Sequence, residues 1–301
     1  MTAALLQTEH GSAEFTGLDT WDDLAILSAL VEGQRRSIYA VRKALPVIAA
    51  AAEAVAKRLA AGGRLIYAGA GTSIRIAVQD GSELPATFGM SDSKLVYLIA
   101  GGRAAMFETL AGAEDDAAEG SRAVDMANCA PGDTLIAVAA SGTTPYTIAA
   151  AKRARELGAL VIAVVNNPAT PLAAAAEHAI FLDTGPEVIA GSTRMGAGTA
   201  QKAALNLLST LAHIKLGAVH DGMMVNVKAD NLKLKKRARG IVARITGAGE
   251  DKAAAALEAT RGDVKPAVLI CAGAKSPAAA QDLLASSRGN LRQALARLAG
   301  K

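Results

Sequence analysis

Gly69-Ala70-Gly71-Thr72-Ser73 and Ser141-Gly142-Thr143-Thr144-Pro145 are the stretches best suited to hold an anion. Each directly follows an apolar run, Arg64-Leu65-Ile66-Tyr67-Ala68 in one case and Thr134 to Ala140 in the other. Each leads into a segment with a helical pattern. Glycines let backbone N–H groups approach a phosphate, and a helix N-terminus adds a favourable field. Two such loops predict one small phosphorylated ligand gripped from two sides.

The elements that must position these loops follow from the hydrophobic pattern. Further apolar runs cover Leu95 to Ala100, Ala159 to Val165 and His178 to Leu182. Helical segments separate the five runs, which predicts parallel strands joined by crossover helices. The fold class is α/β, a three-layer doubly wound sheet of about five strands. Ligands in such sheets bind beyond the carboxyl ends of the strands, where both loops fall. Before the sheet, residues 1–20 read as a polar, loosely held arm. Trp21 to Ala61 reads as helical, with an apolar stripe at Leu24, Leu27, Leu30 and Val31 and a new helix starting near Pro46. After the sheet, Gly185 to Thr199 is rich in turn and hydroxyl residues. Helices are expected over Ala200 to Leu216 and Asp230 to Thr246. Short helices broken at Gly262-Asp263, Ser276-Pro277 and Gly289-Asn290 complete the chain.

Composition narrows the function classes. The chain has 301 residues, enough for a large core. Its hydrophobic content is 51% but aromatics are only 3%, which favours close-packed helices and short strands. No apolar stretch is long enough for a membrane span, and no secretory signal pattern is seen at the N-terminus. Cys129 and Cys271 lack metal-like spacing, and the pattern fits a reducing cytoplasm. His10, His178, His213 and His220 do not cluster with cysteines or carboxylates, so no metal is expected. The net charge is +4, and the only dense basic run, Lys233-Leu234-Lys235-Lys236-Arg237-Ala238-Arg239, reads as a solvated helix face. No interleaved aromatics support nucleic-acid binding.

Beyond the two loops, the chain carries Ser82-Glu83-Leu84-Pro85-Ala86-Thr87-Phe88, Gly112-Ala113-Glu114-Asp115-Asp116 and Gly185-Pro186-Glu187-Val188-Ile189-Ala190-Gly191-Ser192-Thr193-Arg194. The last continues through Ala197 to Lys202 and Leu205 to Thr210. In this order the motifs resemble the N-acetylmuramic acid 6-phosphate etherases, a family built on the sugar isomerase (SIS) domain. The resemblance covers at least residues 62–240. It frames residues 1–61 as an arm and helices packing on the core, 62–240 as the SIS domain, and 241–301 as a small C-terminal helical domain. It implies a cytoplasmic lyase of cell-wall sugar recycling. Such an enzyme removes lactate from the sugar's 3-position and leaves N-acetylglucosamine 6-phosphate and D-lactate. It further implies a homodimer with active sites at or near the subunit interface, and no cofactor.

The chemistry is demanding, because the ether is unactivated. Opening the sugar to its aldehyde acidifies the proton on carbon 2. A base removes it, an acid protonates the departing lactate oxygen, and water adds at carbon 3. By family correspondence the acid–base groups are Glu83, expected in a turn-like stretch beside Pro85, and Glu114. Ser141, Gly142, Thr143 and Thr144 are expected to clamp the phosphate. Thr72 and Ser73 are expected to contact sugar hydroxyls or phosphate, and Gly71 and Ser82 to bind substrate beside them. Ser192, Thr193 and Arg194 supply further donors, Arg194 to the lactyl carboxylate or phosphate. Glu187 and Lys202 are weaker candidates. Three positions depart from the family pattern: Ile74 for glycine, Thr143 for arginine and Gly196 for lysine. Each falls inside a ligand motif, and the last two remove positive charge. A non-catalytic sugar-phosphate sensor and an aldose–ketose isomerase of the same fold are the alternative readings.

Overall fold

The five apolar runs form one parallel sheet in the computed structural model, which describes residues 6–229 and 231–300. The strands are β1 (Leu65–Gly69), β2 (Leu95–Ile99), β3 (Thr134–Val138), β4 (Leu160–Val165) and β5 (His178–Phe181), in the order β2-β1-β3-β4-β5. Every residue of β1, β3 and β4 is buried, as a parallel sheet covered on both faces requires. The edge strands β2 and β5 are only partly buried. Leu65 pairs with Leu95 on one side and Thr134 on the other, so strand order reverses between β1 and β3. That reversal opens a crevice at the carboxyl ends of these two strands.

Helices α1 (Asp23–Ala60), α2 (Gly71–Phe88), α3 (Ala117–Met126), α4 (Pro145–Glu156), α5 (Pro171–Ala174) and α6 (Gly196–Lys215) alternate with or flank the strands. The expected new helix at Pro46 is not seen: α1 runs unbroken through it. An interior proline costs about 3 kcal/mol. Burial outweighs it, because Ala40, Val41, Ala44, Ile48, Ala51, Ala52 and Val55 lie on the covered face, and α1 packs on β4 and β5. Asp22 caps the start of α1 by accepting from the Leu24 and Ala25 amides.

The arm also departs from expectation. Residues 6–20 carry three 3-10 turns rather than a loose tail. Thr8 is fully buried and Arg36 lies over the Phe15 ring, 5.4 Å from its centroid. Phe15 aside, the anchoring groups are polar, so hydropathy gives little sign of them.

By internal packing, one unit comprises residues up to Gly81 with Ser93–Ser209, and a second comprises Ser82–Asp92 with residues from Thr210 onward. The second unit holds a hairpin, β6 (Val219–His220) and β7 (Met223–Met224). It also holds α7 (Leu232–Thr246), α8 (Glu250–Ala259), α9 (Val264–Cys271), α10 (Pro277–Ser286) and α11 (Leu291–Leu298). Its core centres on Val242, Leu257, Val268, Leu269, Leu284 and Leu291. At two of the expected breaks Ser276 and Asn290 cap the next helix by accepting from the Ala279 and Gln293 amides, and Asn231 caps α7 by accepting from Leu234; at the third, Asp263 precedes α9 without a side-chain cap. Asp230, where the basic helix was expected to begin, lies outside the described residues. Lys233, Lys235, Lys236, Arg237 and Arg239 are exposed along α7.

Candidate active site

At the end of β1 the chain turns at Ala70 and enters α2 through Gly71, whose φ is +53°. The turn is tight: a β-carbon on Gly69 would stand 2.7 Å from the Val138 carbonyl oxygen at the end of β3. Thr72 is half-buried and Ser73 buried. Ile74, where the family pattern has glycine, is fully buried, so its branched side chain packs into the core and does not line the cleft that both loops face.

The second loop leaves β3 at Ala139. Gly142 has φ +67°, and its α-carbon is pressed against Thr170. The Thr143 amide donates to Ser141 Oγ at 3.2 Å, and Ser141 Oγ lies 3.4 Å from Thr144 Oγ1. Thr144 is the N-cap residue of α4, with Pro145 following, yet its side chain makes no capping bond. The first-turn amides of α4 thus keep donor capacity towards the crevice, the arrangement that suits an anion.

Both loops face one cleft of about 560 Å³, within the usual range for a small-molecule site. Gly71, Thr72 and Ser73 line one part of it, and Ser141, Thr143 and Thr144 another. Thr193 joins from the loop before α6, and Glu114 and Asp115 from the short turn before α3. The neighbouring Asp116 is occupied as the cap of α3, accepting from the Glu119 amide at 2.8 Å. Gly142 shapes the loop from behind and does not line the cleft. Among the described residues no lysine or arginine lines it, which leaves hydroxyls, amides and the α4 terminus as groups that suit a phosphate.

The remaining expected residues stand elsewhere. Glu83 and Ser82 are exposed on α2, with Pro85 within the helix, so the expected turn-like stretch is helical. Glu83 belongs to the second packing unit and is absent from the cleft lining. Ser192 is half-buried and Arg194 exposed; neither lines the cleft. Arg194 makes no ion pair among the described residues. Lys202 is exposed on α6.

Glu187 has a structural task. Its buried carboxylate accepts from the Gly196 and Ala197 amides, both at 2.8 Å, and so satisfies the N-terminus of α6. Burial pushes this carboxyl upward, and the two amides pull it back. A β-carbon at Gly196 would stand 3.0 Å from Glu187 Oε2 and 3.2 Å from Ser37 Oγ, a tight fit that glycine avoids.

One cleft residue escaped the sequence reading. Glu9, in the first 3-10 turn of the arm, lines the cleft beside Thr193. A lone acidic residue in a polar segment carries no periodic signal. Among the described residues no group of three or more His, Cys, Asp or Glu side chains is arranged to hold a metal.

The SIS domain family matches residues 91–211. The N-acetylmuramic acid 6-phosphate etherase of Deinococcus radiodurans is 47% identical over 290 residues, covering 96% of this chain and 95% of that protein. This chain belongs to the N-acetylmuramic acid 6-phosphate etherase family. The etherase of Streptomyces coelicolor is also 47% identical, across 98% of this chain and 95% of its own length. Among solved structures, a phosphoheptose isomerase from Francisella tularensis matches at 22% identity and a TM-score of 0.46, covering 65% of this chain and 98% of that one. The etherase relatives thus extend over the helices before and after the sheet as well as the SIS segment. No described helix is long and apolar enough to cross a membrane.

Proposed function

We propose that this chain cleaves the D-lactyl ether of N-acetylmuramic acid 6-phosphate, yielding N-acetylglucosamine 6-phosphate and D-lactate, in the cytoplasm during recovery of cell-wall sugars. The observation that carries this reading is the convergence of two hydroxyl-rich turns and Glu114 on one cleft at the β1/β3 reversal.

In this reading the amides and hydroxyls of Ser141, Thr143 and Thr144 hold the phosphate, helped by the α4 terminus. Gly71, Thr72 and Ser73 meet the sugar, with Thr193 across the cleft. Ser192 and Arg194 serve the lactyl carboxylate. Loss of the proton at carbon 2 and departure of lactate from carbon 3 leave an unsaturated aldehyde. Water then adds at carbon 3, and a proton returns to carbon 2. One water is consumed in total. Glu114 is one acid–base group, and each such group contributes on the order of 10²–10⁴-fold.

Glu83 is the other, and it arrives from a second copy of the chain. Glu83 is solvent-facing and outside its own cleft, which supports an assembly that presents it, with Ser82, to a neighbour's sugar. The outer stripe of α1 supports the same assembly: Leu24, Leu27 and Val31 are 73%, 57% and 68% exposed at helical spacing, a natural seam for a homodimer.

Incubation with N-acetylmuramic acid 6-phosphate and assay of D-lactate tests the activity. Release by the wild type, with large losses in Glu83→Gln and Glu114→Gln, is the expected result. Ketose formation without loss of the 3-substituent would indicate an isomerase instead. Ligand binding without turnover would indicate a sensor.

A further inference from the structure

Glu9 is held at the cleft through polar contacts made by the residues beside it. The Gln7 side-chain amide donates to Asp183 Oδ1 at 3.1 Å and to the Asn166 carbonyl at 3.4 Å. The buried Thr8 exchanges bonds with Asn167: its amide donates to Asn167 Oδ1 at 3.4 Å, and its hydroxyl accepts from Asn167 Nδ2 at 3.1 Å. Asn167 Nδ2 also donates to the Ala140 carbonyl at 2.9 Å, which ties the arm to the base of the second hydroxyl-rich loop. The Thr8 carbonyl accepts from the Gly191 amide at 3.0 Å. The Glu9 carboxylate in turn lies so close to Gly191 that a β-carbon there would stand 2.8 Å from Oε2. The arm, the second loop and the 185–194 loop therefore meet around one exposed carboxylate.

A carboxylate placed this way is a poor neighbour for a phosphate and a good acceptor for a neutral donor. Both oxygens accept, and neither donates when ionised. We propose that Glu9 is a substrate-contacting, specificity-determining residue. It accepts a hydrogen bond from a hydroxyl or amide hydrogen of the bound amino sugar. This assignment rests on the etherase reading of the cleft, and it adds a contact from the arm to those drawn from the sheet loops.

The test is calorimetric titration of wild type, Glu9→Gln and Glu9→Ala with N-acetylglucosamine 6-phosphate and, separately, with inorganic phosphate. Thermal melting of all three proteins and D-lactate release by the wild type accompany it. Glu9→Ala is expected to weaken the sugar phosphate by about tenfold to a hundredfold, the value of a hydrogen bond to a charged group. Glu9→Gln, which keeps one acceptor oxygen, should weaken it less. Inorganic phosphate should bind all three proteins within about twofold. Undiminished sugar-phosphate binding by Glu9→Ala overturns the assignment alone. So does a parallel loss of both ligands with a lowered melting point, which would make Glu9 a structural strut. A wild type that neither binds the sugar phosphate nor releases D-lactate overturns the etherase reading, and this one with it.

Discussion

Gly142 and Thr170 touch with no space for another atom between them. A β-carbon on Gly142 would overlap the Thr170 side chain, and the Gly142 carbonyl accepts from the Leu172 amide at 3.1 Å just beyond. The Ser141–Pro145 loop is thereby fixed to the start of α5. Gly142→Ala adds this overlap to a left-handed backbone cost of about 1–2 kcal/mol. It should lower the thermal midpoint markedly and abolish sugar-phosphate binding. Gly71→Ala provides the contrast. Its φ is +53° but no atom lies within 4 Å of the added carbon, so a loss of about 1 kcal/mol is expected. Equal destabilisation by the two changes would contradict this account.

Arg64 and Asp133 brace the approach to β1 and β3. Asp133 accepts from Arg64 Nη2 at 2.6 Å and from the Arg64 and Ala130 amides at 2.9 and 3.0 Å. Arg64 also donates to the Ala127 and Asn128 carbonyls. Burial pushes the Asp133 carboxyl upward, but the Arg64 guanidinium and the amides outweigh it and leave it below its ordinary 3.8. A lowered carboxyl stabilises the fold above the ordinary value and ceases to do so as pH falls through the lowered one. Asp133→Ala should cost about 3–5 kcal/mol at pH 7 in urea unfolding. Asp133→Asn should blunt the acid end of the stability profile. A wild-type acid profile in Asp133→Asn would refute the assignment.

Lys265 is buried in the second unit, and its ammonium donates to the Gly289 carbonyl at 2.7 Å. Burial lowers it from 10.5 to about 8. The folded form then loses its proton before the unfolded chain does, so stability rises between pH 8 and 10.5. Urea midpoints should therefore climb over this interval in the wild type relative to Lys265→Met. Parallel profiles for the two proteins would argue against the depressed value.

Mixing tests whether two chains share each cleft. Glu83→Gln and Glu114→Gln should each be nearly inactive alone. If Glu83 comes from the partner, random heterodimers retain one intact site, and equal co-expression should recover about a quarter of wild-type D-lactate release, a statistical consequence of two-fold pairing. No recovery would place both groups in one chain.

The sheet was readable because a covered parallel strand must be apolar along its whole length, and β1, β3 and β4 are. Pro46 misled because propensity is local, whereas the packing of Ala44 and Ile48 on either side is tertiary. The arm was unreadable for the opposite reason: Gln7 and Thr8 are fixed by hydrogen bonds to Asn166 and Asn167, more than 150 residues away in sequence. Motif order located the cleft loops but could not tell that Glu187 serves the α6 terminus or that Ile74 points inward. Glu83 was legible as part of a motif, while its place on the outer face of α2 was not.

Ile74 also bears on how the cleft responds to its ligand. A side chain locked in the core stiffens the Gly69–Ser73 turn, where a glycine would leave it free to sample many shapes in solution. The cleft turn is in this sense prepaid: ligand capture should freeze little additional chain motion, and calorimetry should find a smaller entropic penalty in this protein than in an Ile74→Gly counterpart.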